Sequence, residues 1–196
     1  MRIPIGAHQI DYEIRGPDDG RPILFLHGLG GRGSDWDPQR SRFETDHRIL
    51  TLDLMGHGDS GKPVGPYSLA AFGRQVAEFV RSVVGGPVHL VGLSMGGMIA
   101  FQVAVDAPEV LRTMTIVNSG PELIPRTLAE RWAMASRVAI VRWFGLPKMA
   151  DVLAPRLFPG PTMVEERRQF TERFVANDRD GYLASLRALI GWSVAD

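Results

Sequence analysis

The stretch Gly92-Leu93-Ser94-Met95-Gly96 carries the most legible chemistry in this chain. It sets one serine between an apolar run, Val88 to Val91, and a small-residue stretch, Gly97 to Val105. The first reads as a buried strand and the second as a helix packed on it. A serine at so abrupt a strand-to-helix turn has an unusual backbone, and glycines two before and two after it remove side chains that would collide there. This is the G-x-S-x-G nucleophile elbow, which presents a serine hydroxyl for acyl transfer. In a chain with 22 glycines the five-residue pattern is weak by itself, so its context has to carry the reading.

Two other glycine motifs compete with it. Gly28-Leu29-Gly30-Gly31-Arg32-Gly33 is a literal G-x-G-x-x-G after a strand, and Asp53 follows 20 residues later, the outline of a dinucleotide site. That site needs its third glycine inside a helix, whereas Gly33-Ser34-Asp35 leads into Trp36, Asp37 and Pro38 and reads as a loop. Gly56 to Lys62 matches G-x-x-x-x-G-K but continues with Pro63 where a phosphate loop needs Ser or Thr. Pro63, Gly65 and Pro66 also prevent the helix whose amino terminus would bind phosphate. A glycine-rich crossing loop accounts for these residues.

The elements that position the elbow follow from the apolar pattern. Ile3 to Ile5 and Gln9 to Ile14 read as a hairpin around Gly6 at a sheet edge. Ile23 to Leu26 and Ile49 to Leu54 are continuous apolar runs, and uniformly apolar strands belong to a parallel sheet covered on both faces; Thr113 to Val117 reads as one more buried strand. Tyr67 to Val84 has helical spacing and ends at Gly85-Gly86-Pro87. Beyond Pro121 strand-like runs stop. Short helices broken by Pro147, Pro155, Pro159 and Pro161 are expected, with Trp132, Trp143 and Phe144 in the core of that segment. The organisation expected is an alternating strand and helix half over residues 1–120 and an all-helical lobe over residues 121–196.

Composition narrows the partners. The 22 basic and 22 acidic residues cancel, so no net field favours nucleic acid or an anionic membrane, and a small, mostly neutral ligand is expected. The chain has no cysteine, which excludes disulfides, thiolate metal sites and a cysteine nucleophile. No cofactor or metal is expected. No apolar leader or membrane-length run is present, and a cytoplasmic protein is the expectation.

Three stretches then occur in a familiar order: His27-Gly28 after one strand, Asp53-Leu54-Met55-Gly56-His57-Gly58-Asp59-Ser60 after the next, and Gly92 to Gly97 after the third. In that order the chain resembles an α/β-hydrolase over nearly its whole length. The resemblance implies a mostly parallel sheet flanked by helices and a helical cap after the strand at 113–117. It is similar to the carboxylesterases, enol-lactonases, carbon-carbon bond hydrolases and cofactor-free perhydrolases, and implies a serine hydrolase of small carboxylic esters or lactones. Ser94 would form the acyl-enzyme. The backbone amides of Leu29 and Met95 would form the oxyanion hole, with Gly28, Gly92 and Gly96 shaping it and His27 fixing the loop by hydrogen bonding. His57 and His89 are expected to be satisfied structural histidines.

One part of such a site is missing. The family's triad acid and histidine follow strands after the cap, in the order Ser, Asp, His. None of the five histidines here follows Ser94, the last being His89, and Glu122 is a poor substitute acid. The expectation is a chain that lacks the last strands of the sheet and the carboxy-terminal triad residues, and is inactive by itself. The strand at 113–117 would then be an open edge that invites pairing with a second copy. The alternative is a non-catalytic protein of this fold that binds a small ligand or a partner.

Overall fold

Polar and apolar residues alternate at the start of the chain, and the alternation produces a half-exposed hairpin. In a computed structural model that describes residues 1–195, β1 (Arg2–Ile5) and β2 (His8–Arg15) pair antiparallel, with Ile3 opposite Ile10 and Gly6 at φ +56° in the turn. The apolar runs then form β3 (Arg21–Leu26), β4 (His47–Leu52), β5 (Val88–Leu93) and β6 (Leu111–Val117). The six strands make one sheet in the order β1-β2-β4-β3-β5-β6. β2 meets β4 antiparallel, and β3, β4, β5 and β6 run parallel.

This order places a switch at the middle of the sheet. From β3 the chain goes to one side to build β4, then returns to the other side to build β5. The connections leaving β3 and β5 therefore diverge, which opens a crevice at the carboxyl ends of these strands. Leu26 is in register with Gly92, so both strands end at the same level.

Helices cover both faces. On one face lie α1 (Asp37–Phe43) and the single 3-10 turn Gly33–Trp36 that precedes it, with Ile23, Phe25, Trp36 and Ile49 packed together. On the other lie α2 (Leu69–Phe79) and α3 (Met95–Asp106). Ser68 caps α2 by accepting the Ala71 N–H at 3.1 Å. Its buried residues Leu69, Phe72, Val76 and Phe79 recur at helical spacing and join Leu24, Leu26, Leu50, Leu90 and Ile99 in the main core. Each such side chain contributes about 1.5–3 kcal/mol through removal from water. The helix ends in a wider turn, Val80–Val84, closed by Gly85 at φ +74°.

The last third is helical: α4 (Leu128–Leu157), α5 (Val164–Val175) and α6 (Arg179–Leu189). Two expectations need correcting there. The break in α4 falls at Gly145 (φ 77°), not at a proline; Pro147 sits in the first turn of the restarted helix, where its missing N–H has no intrahelical acceptor to lose, and Pro155 lies in the last turn. Pro159 and Pro161 do separate α4 from α5. The second correction concerns the aromatic residues expected inside. Trp132, Trp143 and Phe144 are 74%, 75% and 70% exposed. The interior is instead Val141, Leu146, Met149, Ala150, Phe174, Tyr182, Leu183 and Leu186. Trp132 and Trp143 lie about half a turn around the helix from Val141, so burying Val141 turns both outward. Phe144 directly precedes the break.

The helical segment is tied to the main core through α6. Leu189 belongs to that core, and the Trp192 indole N–H donates to Gln102 Oε1 at 2.8 Å. β6 lies at the end of the sheet with one neighbouring strand among the described residues, and as an edge it is half exposed and not the buried strand expected at 113–117. Among the described residues no helix is long and apolar enough to cross a membrane.

Candidate active site

At the end of β5 the chain must reverse into α3 within one residue, and Ser94 absorbs that reversal with φ 51° and ψ −112°. Such a backbone costs a β-substituted residue of the order of 1–3 kcal/mol. Neighbours hold it there: the Ser94 N–H donates to the Val117 carbonyl at 3.0 Å. Its own carbonyl accepts the N–H groups of Gly97 and Met98 at 2.9 and 3.0 Å. The Ser119 hydroxyl donates to the same carbonyl at 2.7 Å.

The flanking glycines answer to close backbone approach. A methyl group on Gly92 would lie 2.4 Å from the Gly96 carbonyl oxygen, and one on Gly96 would lie 2.4 Å from that of Leu26. Gly97, which the G-x-S-x-G pattern leaves out, is equally constrained, because its added carbon would lie 2.6 Å from Ser119 Cβ. The Gly96-Gly97 doublet was the signal for it. The Ser94 side chain is exposed, and its hydroxyl makes no hydrogen bond among the described residues.

The loop after β3 lies against this turn. An added carbon on Gly28 would stand 3.5 Å from Ser94 Cβ, which puts the two loops in van der Waals contact. Gly28 to Gly31 form a β-turn closed by the Gly31 N–H donating to the Gly28 carbonyl at 3.0 Å, with Gly30 at φ +75° in its third position. That is the place where a type II turn demands a residue free to adopt positive φ. The Leu29 N–H is left without an acceptor among the described residues. Met95 is the first residue of α3, and the first amides of a helix have no intrahelical acceptor. Two unengaged N–H groups therefore flank the exposed serine, on the loop before it and the helix after it.

His27 anchors the loop. It is fully buried; its Nδ1–H donates to the Gly28 carbonyl at 2.8 Å and its Nε2 accepts the Leu54 N–H at 3.0 Å. Both ring nitrogens are thus engaged, and burial pushes its pKa down to about 4. His57 is also fully buried, with its ring 5.1 Å from that of His27 and Nδ1 3.2 Å from the Met55 carbonyl. Burial and then the neighbouring His27 lower its pKa to about 3. Its Nε2 has no partner among the described residues, so His57 is structural without being fully satisfied. His89 pairs through Nδ1 with the Thr113 hydroxyl at 2.8 Å. No histidine hydrogen-bonds Ser94 among the described residues, and Glu122 is paired with Arg126 at 2.6 Å.

The competing motifs resolve into loop structure. Gly33 opens the 3-10 turn and not an α-helix. Asp53, which a dinucleotide site would use on a ribose, accepts the Gly33 N–H with Oδ1 and the Asp59 N–H with Oδ2, both at 2.7 Å. Lys62 donates to the carbonyls of Gly58 and Ser60 at 2.8 and 3.1 Å and closes its own loop. Asp11, Asp53 and Asp59 come within 4.8 Å of one another, but Asp53 is spent on these amides and Asp11 pairs with Arg2 at 3.4 Å.

Residues 21–172 match the model of the alpha/beta hydrolase fold family. The chain is 27% identical over 184 residues to 3-oxoadipate enol-lactonase 2 of Acinetobacter baylyi, across 92% of this chain and 67% of that protein. It is 28% identical over 151 residues to the (E)-2-((N-methylformamido)methylene)succinate hydrolase of the same organism, across 71% and 56%. Among solved structures, the enol-lactonase from Burkholderia xenovorans LB400 superposes with a TM-score of 0.87 at 24% identity, over 96% of this chain and 73% of that one. This last likeness is one of fold. The chain spans 30–67% of the length of curated relatives that it matches.

Proposed function

Because this chain belongs to the alpha/beta hydrolase fold family, we propose that it carries the nucleophile and oxyanion hole of a serine hydrolase of small carboxylic esters or lactones. The observation that carries the reading is Ser94 itself, exposed and unengaged, held at positive φ at the carboxyl end of β5 beside the Gly28–Gly31 turn. A residue held in a costly backbone by four neighbours marks a site where the geometry is the purpose.

In this reading the Ser94 oxygen attacks the acyl carbon while its proton passes to a base. The carbonyl oxygen becomes an oxyanion and takes hydrogen bonds from the Leu29 and Met95 amides. Collapse expels the alcohol and leaves an ester on Ser94, which water then cleaves. Loss of one oxyanion donor costs about 3 kcal/mol, or a hundredfold or more in rate. The amino end of α3 adds its positive dipole end beside the developing charge. Gly28, Gly92 and Gly96 permit the close approach of the three backbones, and His27 holds the loop and moves no proton. Helices α4 to α6 serve as the cap. A chain of zero net charge sets up no strong field for a highly charged substrate, and the likeness to an enol-lactonase supports a small ester or lactone.

His27 is not the base in this reading, since both of its nitrogens are engaged, and no other histidine hydrogen-bonds Ser94 among the described residues. The test is hydrolysis of short phenyl esters and small lactones by this chain, with and without added imidazole as a surrogate base, and with Ser94→Ala beside it. The reading predicts a slow Ser94-dependent rate that imidazole increases. Equal rates from the two proteins at every imidazole concentration would favour a non-catalytic, ligand-binding role.

A further inference from the structure

The corner between α5 and α6 reaches into the loop that bears Leu29. Asn177 stands at this corner with its Nδ2 2.7 Å from the Gly30 carbonyl oxygen, 3.1 Å from that of Phe174 and 3.2 Å from that of Arg173. All three neighbours are carbonyl oxygens, so the amide nitrogen is the atom that faces them. The Oδ1 atom is buried and accepts nothing among the described residues, which makes donation to Gly30 the bond that the side chain keeps across the two segments.

The same corner walls the turn. A carbon added to Gly30 would lie 2.6 Å from Phe174 Cε2 and 3.1 Å from Tyr182 Cε2, the two rings being in edge contact at 5.3 Å. Arg173 reaches Asp35 at 3.3 Å, and the other carboxylate oxygen of Asp35 accepts the Arg32 N–H at 3.0 Å. A four-residue turn with three glycines has few side chains of its own to restrain it. Its restraint comes from outside: His27 and Ser94 on one side, the α5–α6 corner on the other.

We propose that Asn177 is a positioning residue for acyl transfer: by fixing the Gly30 carbonyl it holds the Gly28–Gly31 turn so that the Leu29 N–H stays aimed at the oxyanion beside Ser94. This rests on the nucleophile reading of Ser94. Transition-state stabilisation thereby depends on how α5 and α6 are seated, even though neither helix supplies an oxyanion donor.

The test compares the full chain with Asn177→Asp, which keeps the shape but sets a carboxylate against three carbonyls, and with Asn177→Ala. Two quantities are read: hydrogen exchange of the amides over residues 28–34, and Ser94-dependent release of nitrophenol from p-nitrophenyl acetate against ester concentration. Exchange is expected to accelerate at 28–34 and not elsewhere. Saturated acylation is expected to fall about tenfold, a part of the hundredfold that outright loss of an oxyanion donor costs, while the half-saturating ester concentration stays within about twofold. Unchanged saturated acylation in both variants would overturn the proposal. So would faster exchange throughout the chain, which would make Asn177 a residue of general stability. If the wild-type chain and Ser94→Ala release nitrophenol equally, the nucleophile reading fails instead, and exchange at 28–34 alone decides whether Asn177 holds the turn.

Discussion

The Ser119 hydroxyl donates to the Ser94 carbonyl at 2.7 Å, so the residue that follows β6 by two positions restrains the turn that ends β5. Leu93 and Val117 are in register, and the Ser94 N–H returns a bond to Val117. The elbow is therefore braced from its neighbour strand through both its N–H and its C=O. Ser119→Ala is expected to lower the unfolding free energy by about 1 kcal/mol, the net worth of one hydrogen bond, as read from urea midpoints. It should also slow acylation of Ser94. A variant as stable and as fast as the wild type would contradict the brace.

Gly96→Ala tests the close approach of α3 to β3. Its methyl group would meet the Leu26 carbonyl at 2.4 Å and that of His27 at 2.8 Å, and backbone oxygens have little room to yield. The expected cost is about 3 kcal/mol or a failure to fold. A loss under about 1 kcal/mol would show that the two segments are not packed as described.

Acid should destabilise the protein through its two buried histidines. Burial holds His27 at about 4 and His57 at about 3, below the ordinary 6.5. Between those values and 6.5 the unfolded chain binds protons that the folded chain does not, so stability is full above pH 6.5 and declines as pH falls toward 4. Each group contributes a slope of about 1.4 kcal/mol per pH unit where only the unfolded chain is protonated. Urea midpoints taken from pH 7 to pH 4 should fall accordingly, and less steeply in His57→Asn. A flat profile down to pH 4.5 would contradict the assignment of both rings as buried and neutral.

The outward placement of the tryptophans separates two accounts of α4. Trp143→Lys is expected to change stability by less than about 0.5 kcal/mol, as for other exposed positions. Met149→Ala, which empties a fully buried position in the same segment, should cost about 2–5 kcal/mol. The reverse order in thermal melts would restore the tryptophans to the interior.

The sheet is legible in the sequence because β3 and most of β4 are apolar runs and the turns are marked by glycine, and β3, β5 and the elbow fall where the pattern puts them. Strand ends were harder: Asp53 and Leu54 extend the apolar run of β4 but leave the ladder, Asp53 to bind the Gly33 and Asp59 amides. The helical segment is the least legible. Composition identifies large apolar residues but not the direction they face, and only the burial of Val141 decides that Trp132 and Trp143 point outward. Ser119 and Asn177 carry no motif, since each acts through a contact between segments distant in the chain. The two unengaged amides of Leu29 and Met95 were legible only through the family resemblance.

The central claim is that Ser94 accepts an acyl group, and intact-mass and peptide mapping after incubation with p-nitrophenyl acetate test it most directly. With no histidine hydrogen-bonded to Ser94 among the described residues, water is expected to attack slowly, so that an acylated serine persists long enough to be mapped. The account predicts one acetyl group on the peptide that contains Ser94, absent from Ser94→Ala. Label of equal extent on both proteins, or none on a folded wild-type chain with imidazole present, would contradict it.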